Sequence, residues 1–95
     1  MMENGKMITA YVLLRIKPGM DKNVLNNVKK LTQVKIVETV YGEYDMLIQV
    51  KVETLEQLDS FIFDTVRTIK GVEGSTTLIV MEVPGARSVM RRIEF

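Results

Sequence analysis

The 95-residue chain has no cysteine, no histidine and no tryptophan. Without cysteine there are no disulfides and no thiolate metal sites. Without histidine the chain lacks the commonest general base near neutral pH and the commonest neutral metal ligand, so no metal and no cofactor is expected. A catalytic base would have to be a carboxylate such as Asp45 or Glu38, and an enzyme is not the expected reading. No uncharged run is long enough to span a bilayer, and residues Met1 to Lys6 carry no apolar secretory core. The expected location is cytoplasmic, with no membrane partner. A charge bias is missing as well: 13 Lys and Arg stand against 12 Asp and Glu. No global field therefore draws the chain onto nucleic acid.

What is present is the composition of one folded domain, 46% hydrophobic and 26% charged. This length supports one core but not two. From Met7 to Lys17 the even positions Ile8, Ala10, Val12, Leu14 and Ile16 are all apolar, which predicts a strand with one buried face. Pro18-Gly19 breaks it, and Asp21 is placed to cap a helix carrying Val24, Leu25, Val28 and Leu31. Two further β-rich runs, Val34 to Tyr41 and Tyr44 to Val52, flank Gly42-Glu43, a pair suited to a two-residue type II′ hairpin. Thr54 and Gln57 form a capping-box pattern ahead of a helical stripe of Leu55, Leu58, Ile62, Val66 and Ile69. Phe61 and Phe63 cannot both sit at the centre of that stripe, so one of them is expected to face a partner or a partly exposed edge. Lys70-Gly71 ends the helix, and Val72 to Val83 reads as a last strand with apolar residues on both faces.

The order β-α-β-β-α-β predicts a ferredoxin-like α+β fold, a four-stranded antiparallel sheet with both helices on one face. The other face then carries Tyr11, Leu13 and Leu47. Leaving such groups wet costs roughly 25 cal/mol per Å² of apolar surface. Either lysine and arginine stems shield them in a monomer, or two sheets pack together; monomers seldom expose large contiguous apolar patches, which favours the dimer. Tyr11, Leu13 and Leu47, with Ile79 and Met81 of the two-sided last strand, are the expected interface.

Several residues near the sheet's end have two readings each. Gly42 is either a conformational turn glycine, the commoner case, or a place where the amides of Gly42, Glu43 and Tyr44 receive a carboxylate. Asp45 either hydrogen-bonds the turn or binds an ammonium group. Ser75, Thr76 and Thr77 are either ordinary strand residues or hydroxyl donors to a ligand. Tyr41 and Tyr44 either wall a pocket or anchor an interface, and Tyr44 shares the core parity of Met46 and Ile48.

Three segments together resemble the Lrp/AsnC ligand-binding domain: AYVLLRIKPG from Ala10 to Gly19, Gly42-Glu43-Tyr44-Asp45 leading into Met46-Leu47-Ile48, and GVEGSTTLIV from Gly71 to Val80. The resemblance covers roughly Ala10 to Val83, and residues 7-83 are taken as the domain. It implies a sheet-to-sheet homodimer, assembly of dimers into an octamer or another ring, and small effectors, typically amino acids, bound between subunits. It also implies that Tyr41, Gly42, Glu43, Tyr44 and Asp45, with Ser75, Thr76 and Thr77, contact that effector. Members usually carry a helix-turn-helix domain, whereas about half a dozen residues precede the first strand here. The expectation is a stand-alone version without direct DNA binding, working alone or with full-length Lrp/AsnC regulators. The tail, residues 84-95, mixes Arg87, Arg91 and Arg92 with Val89, Met90, Ile93 and Phe95. It is expected to pack on a partner subunit rather than to bind phosphate.

Overall fold

The structure, a computed structural model, describes residues 7–81. The expected tail and the far end of the last strand lie outside the described residues. Strands β1 (Ile8–Ile16), β2 (Val34–Thr39), β3 (Met46–Val52) and β4 (Val72–Ile79) form one antiparallel sheet in the order β2-β3-β1-β4. Helix α1 (Asp21–Val28) follows β1 and α2 (Leu55–Ser60) follows β3, giving the ferredoxin-like α+β arrangement.

The core is the inward face of the two central strands. Ala10, Val12, Leu14 and Ile16 of β1 and Met46, Ile48, Val50 and Val52 of β3 are 0–6% exposed. Val24, Val28, Leu58, Phe61, Ile62 and Val66 close over them from the helices. Alternation with period two meets a stripe of period 3.6, and each supplies the apolar surface the other lacks. None of the described helices is long and apolar enough to cross a membrane.

Local chemistry explains the element ends. Thr54 Oγ1 accepts from the Gln57 amide at 3.0 Å, as the capping-box pattern requires, while the Gln57 side chain accepts from the Glu53 amide at 2.8 Å. Beyond Ser60 the second helix continues through a π-helical turn, Phe61–Thr65, and a 3₁₀ turn, Val66–Thr68. The wider turn lets both Phe61 and Ile62 face the core, while Phe63 lies exposed with the Arg67 guanidinium 5.3 Å from its ring centroid. Asp21 does not cap α1: Met20 holds that position without a side-chain hydrogen bond, and Asp21 is the first helical residue. A carboxylate there still meets the positive end of the helix dipole. The helix stops at Val28 instead of Leu31, because the Lys30 and Leu31 amides turn back to the carbonyls three residues before them. Gly71, at φ 107°, lies so close to α1's lead-in that a Cβ would stand 2.6 Å from the Cβ of Met20.

The hairpin departs from the two-residue turn expected at Gly42-Glu43. β2 ends at Thr39 and β3 starts at Met46, and the Val40 amide donates to the Asp45 carbonyl at 3.0 Å around a loop of residues 41–44. Beside this wider loop the Tyr44 hydroxyl reaches Thr76 of β4 and the Asp45 carboxylate accepts from the Ile16 amide of β1.

Candidate functional site

The pairing register fixes which side chains share the open face. Tyr11 lies between Gln49 and Leu78, Leu13 between Leu47 and Thr76, and Arg15 beside Gly74; Ile36 and Glu38 of β2 extend the first two rows. Tyr11, Leu13 and Leu47 therefore share the uncovered face, half-buried, as their alternation predicts. Ile79 does not join them: it pairs with Ala10, whose side chain is in the core, so it lies on the helix side near the sheet edge. Leu78, exposed, takes the outward place on β4. Met81 is exposed beyond the end of β4.

At one end of this face the loop before β3 gathers polar groups. Asp45 Oδ2 accepts from the Ile16 amide at 2.8 Å, and the Asp45 amide donates to the Leu14 carbonyl at 2.8 Å. The carboxylate thus serves the end of β1 rather than its own turn, replacing a ladder partner that β3 does not supply. Tyr44, whose parity matches Met46, does not enter the core. Its hydroxyl lies 2.9 Å from Thr76 Oγ1, a residue paired with outward-facing Leu13. Since β1 runs between β3 and β4, the Tyr44 side chain crosses β1 over the open face. Strand parity fails here because Tyr44 precedes the first residue of β3.

Among the three β4 hydroxyls the register distinguishes one. Thr76 faces outward, whereas Ser75 pairs with core residue Leu14 and Thr77 with core residue Val12, on the helix side. Tyr41, Gly42 and Glu43 form the exposed loop tip, with Gly42 at φ 136° and nothing within 4 Å of where its Cβ would stand. That glycine is required by backbone conformation, and its bare Cα also leaves the loop amides approachable. Tyr44, Asp45 and Thr76 are brought together; Tyr41 projects into solvent, and Ser75 and Thr77 point away.

Sequence reasoning passed over Arg15. Its guanidinium lies over Gly74, with Nη2 3.0 Å and Nε 3.4 Å from the position a Cβ would take there. The register between β1 and β4 shifts at this point, between Arg15 and Ile16, so that Glu73 is an extra residue in β4. An arginine at an outward position of a largely apolar strand is a visible signal, but its glycine partner is far along the chain. Next along the face, the Gln49 side-chain amide donates to the Tyr11 hydroxyl at 2.9 Å, a satisfied polar pair amid apolar neighbours.

A larger cavity, an open cleft of about 980 Å³, lies at the opposite end of the sheet between Lys35, Lys51, Glu56 and Asp64, and none of the residues of this cluster lines it. The chemistry gathers on the open face, which in one chain is a surface rather than an enclosed pocket. Among the described residues no group of three or more Asp or Glu is placed to hold a metal ion.

Known proteins share this fold. The family described as the Lrp/AsnC ligand binding domain matches residues 9–90. The HTH-type transcriptional regulator FL11 of Pyrococcus furiosus is 34% identical over 79 residues, covering 83% of this chain and 52% of the regulator. The chain thus spans about half the length of that relative. The crystal structure of TTHA0845 from Thermus thermophilus superposes with a TM-score of 0.76 at 29% identity, over 83% of this chain and 99% of that one. A Neisseria meningitidis transcriptional regulator, NMB0573, solved in complex with L-Met, shares the fold at a TM-score of 0.75 and 20% identity, over 90% of this chain and 56% of its own.

Proposed function

We propose a function from one fact: the chain belongs to the Lrp/AsnC ligand-binding domain family. It is the regulatory, effector-binding part of such proteins. In our reading two copies pack open face against open face, with further assembly of dimers, and a small effector of the amino-acid class lodges where the loop of residues 41–45 borders that contact. The effector biases assembly by binding one state more tightly than another, which is the only way a ligand can shift such an equilibrium. No catalytic step is part of it.

The observation that carries this reading is the juxtaposition on one sheet face. Tyr11, Leu13, Leu47 and Leu78 form an apolar area with no covering layer in the described chain, and Tyr44, Asp45 and Thr76 stand at its end. A stable dimer buries about 800 Å² per partner, a size a four-stranded face can supply. Covering it would dry the adjoining polar groups, and hydrogen bonds to a charged ligand gain strength where water is excluded. The L-Met bound by the Neisseria meningitidis regulator makes amino acids the first probes.

The test pairs light scattering with a thermal-shift panel of the protein amino acids. The expected result is a dimer or larger assembly at micromolar concentration and at least one amino acid that raises the melting temperature. At 100 times its dissociation constant such a ligand adds about 2.7 kcal/mol of stability. A chain that stays monomeric in high salt, and that no amino acid stabilises or assembles, overturns the reading.

A further inference from the structure

We propose that Arg15 anchors the carboxylate of the effector and makes the site selective for ligands with a free carboxylate. This rests on the preceding reading of the site and adds a residue and a ligand group to it. Arg15 is the cationic member of the outward row next to Thr76, since Gly74, its β4 partner, precedes Thr76 by two residues on the same face. Two residues along a strand span about 7 Å. The guanidinium and the Tyr44–Thr76 hydroxyl pair are therefore spaced for opposite ends of one small molecule.

The backbone around Arg15 positions the guanidinium. The register shift opposite Arg15 inserts Glu73, and such bulges re-aim neighbouring side chains. Gly74 leaves bare backbone on which the group lies, with Cζ 3.6 Å from the absent Cβ. The neighbouring carboxylate on the other side, Asp45, receives the Ile16 amide, and the guanidinium leans toward β4 instead. A planar fork of donors held against a sheet matches a carboxylate in two parallel hydrogen bonds, which a lysine or an amide at the same place cannot reproduce.

Isothermal titration of the full chain with the protein amino acids, and with the α-amide and decarboxylated amine of each one that binds, tests this. Arg15→Gln is expected to weaken the amino acid about tenfold or more, the scale of one charge-assisted pair, while leaving the amide and the amine, both weak ligands of the unaltered chain, within about twofold. Arg15→Lys should fall between, and Gly74→Ala should weaken the acid selectively by displacing the guanidinium without removing its charge. Scattering on each variant shows whether the assembly persists. An amino acid that binds Arg15→Gln and the unaltered chain within twofold, or an amide that binds as tightly as its acid, overturns the role of Arg15 while the effector site stands. If no amino acid binds the unaltered chain, both fall together.

Discussion

The two faces of β1 and β3 are built from the same strands and have opposite fates. Inward, Ala10, Val12, Leu14, Met46, Ile48 and Val50 are at most 1% exposed and wholly apolar. Outward, Tyr11, Leu13, Leu47 and Gln49 are half-buried and mix apolar with polar groups, and Arg15 is exposed. The first face is completed by helices of the same chain. Among the described residues the second is packed by its strand neighbours and by the Tyr44 side chain that crosses it, and in the proposed assembly a second copy supplies the rest of its burial. On the proposed function, stability within the chain and recognition outside it fall to alternate residues of single strands.

Neighbouring leucines on β1 give the largest contrast. Leu14→Ala should cost about 2–5 kcal/mol, because it opens a cavity in a packed core. Leu13→Ala should cost less than about 1 kcal/mol in the dilute, dissociated chain yet weaken association. Urea unfolding followed by tyrosine fluorescence, with sedimentation at rising concentration, separates the two. Equal costs in the dilute chain would mean that the open face is closed within one protomer.

Asp45 joins the faces, since an open-face residue holds the end of a core strand. Asp45→Ala leaves the Ile16 amide without its acceptor and should destabilise the chain by about 1–3 kcal/mol. Asp45→Asn keeps an oxygen for that amide and should recover most of the loss. A ligand role for the charge would then show as weaker effector binding in Asp45→Asn at near-normal stability. If Asn melts as low as Ala, the carboxylate's charge, and not only its oxygen, holds β1.

The alternation of the central strands was legible in the sequence because both their faces are set by immediate neighbours, and so was the Thr54–Gln57 cap, whose partners are three residues apart. Tyr44 was not, because parity holds only inside a strand and the ladder begins at Met46. Nor was the placement of Ile79, which depends on the β1–β4 register. Arg15 over Gly74 and Asp45 on Ile16 are contacts between distant segments that no local pattern encodes. What escaped is the part of the site that only topology assembles.

The smallest expected effect concerns the Tyr44–Thr76 bridge. Tyr44→Phe removes one hydroxyl from a 2.9 Å contact that water reaches, and Thr76 can then bond solvent, so the dilute chain should lose no more than about 0.5–1 kcal/mol. The measurement that matters is the same substitution in the assembled protein. If the open face is covered by a second copy, the orphaned Thr76 hydroxyl loses its water as well, and the cost should rise toward about 1–3 kcal/mol. Melting temperatures of Tyr44→Phe against the unaltered chain, taken at concentrations below and above dissociation, read that difference directly. A penalty that does not grow with concentration would place the bridge outside the contact and leave Leu13 and Leu47 to define its extent.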